Sequence, residues 1–201
     1  MPRLAKGFSL IELMVTIAVA AIMLALAVPN FREWINNSRI RSAAESIQNG
    51  LRVARNEAAQ RGSPTRFELT SASAATWTVC QLPTGTTTCT AAKAANAANV
   101  IEQRDATESL VTLTGSTSSA MQDKTKTGTV LTGGVPGGVT FNALARPQGF
   151  NTTALARIDV AGKVTAGRRL VVLIYAGGQV RACDPDTTNL ASTDAQSCQT
   201  N

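Results

Sequence analysis

The 201-residue sequence contains no histidine, and that absence removes the commonest general base and the commonest metal ligand from any functional reading. A nucleophilic serine or cysteine would then need a lysine base. Beyond the first 30 residues the lysines are Lys93, Lys124, Lys126 and Lys163, all in stretches that read as loops or turns. No Gly-x-Ser-x-Gly elbow, phosphate loop or dinucleotide glycine pattern is present. The glycine-rich "TGGVPGG" at 132–138 is not followed by a helix start that would hold phosphate, and it reads as a flexible turn. Neither an enzyme nor a cofactor is expected.

Aromatics make up only 4% of the chain, so stacking platforms for nucleic acid are scarce. Charged residues are also sparse at 16%, yet their balance is +6, which favours anionic partners only loosely. The four cysteines, Cys80, Cys89, Cys183 and Cys198, include no C-x-x-C pair, so structural zinc is not expected. Their even number fits an exported chain with disulfides. Asp184 and Asp186 flank Pro185 and could hold calcium weakly, although two acids in a turn are commoner than a metal site, and no metal is expected.

What the sequence does have is one long apolar run, Phe8 to Val28, within "KGFSLIELMVTIAVAAIMLALAVPN". Its 21 residues match a spanning helix of ~20 better than the 7–15 of a secretory signal core, although Ala25-Leu26-Ala27 offers a signal-type cleavage site. Glu12 lies inside the run. A carboxylate in hydrocarbon costs on the order of 2.5–3.5 kcal/mol, so it ordinarily has a partner and a function. A cut between Gly7 and Phe8 would supply one, because the new α-amine of a neighbouring subunit could neutralise Glu12 within a helical bundle.

The stretch "GFSLIEL" resembles the leader junction of type IV pilins and type II secretion pseudopilins, with a basic leader (Arg3, Lys6), glycine before the cut, phenylalanine after it and glutamate at the fifth mature position. The resemblance implies that a prepilin peptidase cleaves after Gly7, that Phe8 is N-methylated, and that Glu12 sets assembly and register in a helical filament. It further implies a bend near Pro29, where the membrane-type part of the helix ends.

Beyond Pro29, Phe31, Ile35, Ala43, Ile47, Leu51, Ala54 and Ala58 recur at helical spacing, giving an apolar stripe that should pack the helix onto a sheet. Gly50 lowers helix propensity by about 1 kcal/mol, whereas Glu57 and Arg61 form a favourable i,i+4 pair. Gly62-Ser63-Pro64 ends the helix. The period then drops towards two, with strands expected at Thr65–Leu69, Thr76–Leu82, Asn99–Arg104, Leu110–Thr114, Val139–Asn142, Leu155–Val160, Leu170–Tyr175 and Gln179–Cys183. Residues 83–98 and 115–138 read as surface loops.

This order predicts an α+β fold with an antiparallel sheet. Four cysteines allow three pairings; the two local ones, Cys80 with Cys89 and Cys183 with Cys198, are preferred here.

The head sharpens the resemblance. "ARNEAAQRGSPTRFEL", "VTFNALARPQG" and "AGGQVRACDP" with its terminal cysteine loop look like the minor pilin and pseudopilin group called GspH/FimT, which includes FimU. Some members bind DNA through a Gly-Arg-x-Arg motif. Here that stretch reads Gly178-Gln179-Val180-Arg181, which leaves Arg181, helped by Arg168 and Arg169, as the candidate DNA contacts.

The resemblance thus implies a type IV pilin-like fold with a leader at 1–7, a transmembrane and filament-core helix at 8–28, an amphipathic continuation at 29–63 and a β-rich head at 64–201 closed by a disulfide loop. It implies a non-enzymatic minor pilin that primes or caps a type IV pilus, the alternatives being minor pseudopilin H of a type II secretion system and a DNA-binding competence pilin. The partners implied are other minor and major pilins or pseudopilins, the prepilin peptidase, the assembly platform of a bacterial inner membrane, and lipid before extraction, with the head in the periplasm.

Overall fold

A computed structural model describes residues 9–105, 111–117, 137–162, 169–185 and 197–198, with the side chains of 26–30 left out. The chain divides into two compact units, Met1–Asn36 and Asn37–Asn201, and helix α1, Leu10–Arg61, contributes to both.

In the first unit every side chain from Ser9 to Ala25 is exposed. Leu10, Ile11, Met14, Ile17, Ile22 and Leu24 thus present an exposed apolar helix surface. Among the described residues no helix is long and apolar enough to cross a membrane. Phe8 and the side chains of the last three residues of the expected span lie outside them. Pro29 falls inside α1, while the bend expected there lies outside what is described. Phe31, expected on the buried stripe, is exposed and stacks on Trp34, three residues on, with ring centroids 5.9 Å apart.

The second unit holds the core. Its helical members are Ile40, Ala43, Ala44, Ile47, Leu51, Ala54 and Ala58, so the buried stripe begins at Ile40 and not at Phe31. Truncating Ile47 or Leu51 to alanine is expected to cost about 2–5 kcal/mol. Gly62, at φ +61°, ends the helix in the left-handed region that glycine enters without penalty.

Among the described residues eight antiparallel strands follow: β1 Thr65–Leu69, β2 Trp77–Gln81, β3 Val100–Arg104, β4 Val111–Ser116, β5 Gly137–Phe141, β6 Arg157–Gly162, β7 Arg169–Ile174 and β8 Val180–Cys183. They form two sheets where one was expected. Sheet A has the order β3-β2-β1-β5 and sheet B the order β4-β6-β7-β8. Phe67, Leu69, Trp77, Val79, Val139 and Phe141 of sheet A share one core with Leu113, Ile158, Val160, Val172 and Ile174 of sheet B and the stripe of α1. The fold class is α+β, a long helix packed on antiparallel sheets.

Side chains alternate across a strand, and both outer faces are covered as well. On sheet A, Cys80 packs with Cys89, Ala92 and Leu82. On sheet B, Val171 and Leu173 pack with Cys183, Cys198 and Tyr175. This explains the unbroken apolar run of β7.

The cover of sheet A corrects a second expectation. Residues 83–98 are not all loop, because Cys89–Ala95 forms helix α2 and Ala97–Asn99 a 3-10 turn. Thr88 caps α2 by accepting from the Ala91 N–H, and the alanine-rich sequence carries the highest helix propensity. Gly137 and Gly138, read as part of a flexible turn, open β5 instead. A Cβ on Gly138 would lie 2.4 Å from the Phe67 carbonyl oxygen. The outer parts of the expected loop at 115–138 are thus strand, and 118–136 lie outside the described residues.

Candidate functional site

Gly7 and Phe8 lie outside the described residues. Glu12 is described, and it has a local role that went unseen in the sequence. Its N–H donates to Ser9 Oγ at 3.3 Å while its Oε2 faces the Ser9 N–H at 3.5 Å, the reciprocal arrangement of a capping box. Ser-x-x-Glu at 9–12 was the available signal. The carboxylate also stands in the first helical turn, where negative charge is favoured by the helix dipole. The side chain is exposed.

In the second unit, Cys80 is bonded to Cys89 and Cys183 to Cys198. Asp184 is buried beside the second disulfide, and its carbonyl accepts from the Cys198 N–H at 3.1 Å. Asp186 lies outside the described residues, among which no cluster of three metal-ligating side chains occurs.

Of the three candidate DNA contacts, Arg168 is outside the described residues. Arg169 lies on the outer face of sheet B, with Nη1 3.4 Å from Asp159 Oδ1, and Arg157 Nε holds the other oxygen of that buried carboxylate at 2.9 Å. Arg181 Nη2 donates to the Ser197 carbonyl at 3.0 Å, which fixes it beside the disulfide. Arg169 and Arg181 are thus held by different partners, the Asp159 carboxylate and the Ser197 carbonyl.

Arg181 instead shares a groove of about 620 Å³ with Arg52 and Arg55 of α1, lined also by Tyr175, Gly178, Gln179 and Val180. No motif in the sequence links these three arginines, and the grouping comes from the fold alone. The groove depends on a tight crossing. Gly178, at φ +78°, closes the β7–β8 hairpin, and a Cβ there would lie 1.9 Å from the Ala145 carbonyl oxygen. The turn that carries Ala145 is held by Asn142 Oδ1, which accepts from the N–H groups of Leu144 and Arg146 at 3.0 Å each. "FNALARP" and "AGGQVR", far apart in sequence, are thus in contact.

A family profile described as "Type II transport protein GspH" matches residues 43–178, the end of the long helix and most of the head. The chain belongs to the GspH family. A second profile, "Prokaryotic N-terminal methylation motif", matches residues 2–28, which adds the amino-terminal signature of the type IV pilin superfamily to this GspH head. The type IV major fimbrial protein FimA of Dichelobacter nodosus is 38% identical over 53 residues, 26% of this chain and 32% of FimA. FimA of strain VCS1703A matches to the same extent, so the match spans about a third of the length of these curated relatives. Two crystal forms of the type IV minor pilin FimU of Pseudomonas aeruginosa align at TM-scores of 0.46 and 0.44 with 13% identity. They cover 74% and 72% of this chain and 90% and 93% of FimU.

Proposed function

We propose that this GspH-family chain is a minor pilin, a non-enzymatic subunit that primes or caps a type IV pilus. The observation that carries this reading is the helix surface from Leu10 to Leu24, apolar and exposed, with one carboxylate at its start. A surface of that kind is stable only in lipid or against other helices. Both environments follow from the pilin reading: the bilayer first, the filament core afterwards.

In this reading residues 1–7 are a leader removed by a prepilin peptidase, and Gly7 lets the enzyme approach the backbone closely. Phe8 becomes the methylated amino terminus. Residues 8–28 span the inner membrane and later pack into the filament, where Glu12 neutralises the amine of a neighbouring subunit. Pro29 supplies the bend, residues 29–63 lead into the head, and the head at 64–201 faces the periplasm and meets other minor and major subunits.

The family description favours a second reading, minor pseudopilin H of a type II secretion system, with the same architecture. A clean deletion in the host separates the two, scored for surface pili and for exported enzymes in the supernatant. Lost pili with normal secretion supports the pilin reading. Retained pili with enzymes trapped in the periplasm overturns it in favour of the pseudopilin.

A further inference from the structure

Arg52 and Arg55 stand at i and i+3 on α1, so two like charges share one helix face and repel each other. Arg181 brings a third guanidinium to the same groove from β8, and among the described residues no acidic side chain lines it. Five other arginines of the second unit are matched, Arg41 with Glu45, Arg61 with Glu57, Arg66 with Glu68, and Arg157 and Arg169 with Asp159, whereas Arg39, Arg104 and Arg146 stand apart on the surface without such a pair among the described residues. Among the described residues neither Arg52 nor Arg55 is in such a pair.

A second observation is independent of charge counting. The Nε of Arg55 is buried and has no hydrogen-bond acceptor among the described residues. It lies over Gly178, where a Cβ would come within 3.2 Å of it. A buried donor without an acceptor is costly, and polar groups in that position are ordinarily satisfied. The buried Nε holds the Arg55 side chain against Gly178, and an anion in the groove would relieve the repulsion between Arg52 and Arg55.

The chemistry of the groove narrows the anion. Planar guanidinium groups offer paired N–H donors that match the two oxygens of a carboxylate. A nucleic-acid strand is held by charges strung along its backbone and by successive stacking rings. Here the charges converge in one groove of about 620 Å³ with Tyr175 as its one aromatic side chain.

We propose that the groove of Arg52, Arg55 and Arg181 is a carboxylate receptor, occupied in the filament by an acidic side chain on the head of a neighbouring subunit. This rests on the reading of the chain as a filament subunit. The Arg181–Ser197 hydrogen bond keeps one wall of the receptor in place, and Gly178 provides the floor.

The test uses the full chain in detergent micelles, observing the arginine Nε–H resonances by NMR. The Arg55 signal is assigned by its loss in Arg55→Gln. A capped tetraglutamate peptide is expected to shift that resonance saturably, capped tetraglutamine to leave it in place, and inorganic phosphate to bind at least tenfold more weakly than tetraglutamate. Arg52→Gln, which keeps Arg55, is expected to weaken tetraglutamate at least tenfold. Tighter binding of a twelve-nucleotide single strand than of tetraglutamate overturns the proposal in favour of nucleic acid, and no saturable shift with any probe overturns it outright.

In the host, the double variant Arg52→Gln/Arg55→Gln is expected to enter filaments at one-fifth or less of the normal level, with Arg41→Gln as the charge-loss control at the normal level. Normal incorporation of the double variant, where deletion of the chain abolishes pili, sinks the receptor and leaves the filament reading intact. A deletion that affects neither pili nor secretion overturns both, since the groove then has no neighbouring subunit to receive.

Discussion

The backbone N–H of Cys89 donates to Oε2 of Glu68 at 2.9 Å, joining the first disulfide, the start of α2 and the middle strand pair of sheet A through one carboxylate. The same oxygen accepts from Arg66 Nε at 2.7 Å, and Arg66 Nη1 reaches Thr140 Oγ1 on β5 at 3.3 Å. Glu68 is buried, so no water replaces either bond.

Glu68→Ala leaves a guanidinium and a backbone donor without their acceptor in a dry site, and a loss of about 3–5 kcal/mol is expected. For a head of this size that is a fall in Tm of roughly 6–20 °C, measured on the full chain by near-UV circular dichroism. Glu68→Gln keeps an acceptor and is expected to lose less. A Tm for Glu68→Ala equal to that of the unsubstituted chain contradicts the role given to the contact.

Gly50→Ala sets helix propensity against packing. Propensity alone stabilises alanine by about 1 kcal/mol. A Cβ at position 50, however, lies 2.8 Å from Phe67 Cε2 and 2.9 Å from Trp77 Cδ2, and Trp77 Nε1 is already tied to Ser46 Oγ at 2.9 Å. The rings cannot retreat without losing that bond, so a net destabilisation of about 1–3 kcal/mol is expected. A raised Tm would show that the helix and sheet A are less tightly joined than described.

These two sites show where sequence reading reached and where it stopped. The period of two in "TRFEL" marked β1 correctly, and in the fold Arg66 and Glu68 alternate with the core residues Phe67 and Leu69. Only the fold reveals that α2 covers the face opposite the core, bonds to Glu68 through the Cys89 N–H and leaves that carboxylate buried. Thr88 and the alanines after it carried the signal for α2, but a Thr- and Ala-rich stretch between strands reads equally as loop. Gly62 and Pro64 marked the helix end plainly because their backbone restrictions are local. The split into two sheets was not legible, since β1 pairs with β5 and β4 with β6 across long sequence separations that leave no periodic trace. For the same reason Arg52, Arg55 and Arg181 were read apart.

Glu12 carries two roles that substitution separates. Glutamine preserves the reciprocal contacts with Ser9 but removes the charge, and alanine removes both. If the charge neutralises a neighbour's amine, Glu12→Gln and Glu12→Ala lower incorporation into sheared filaments by a similar factor, with processing intact in each. Normal incorporation of Glu12→Gln would reduce Glu12 to a helix cap.

The most direct measurement is mass spectrometry of this chain recovered from filaments sheared off the host. A mature chain that begins at Phe8, bears one added methyl on its α-amine, and gives way to an uncut precursor in Gly7→Arg is the expected result. Absence of the chain from filaments, or a mature terminus at Val28 in the culture medium, contradicts its assignment as a pilus subunit.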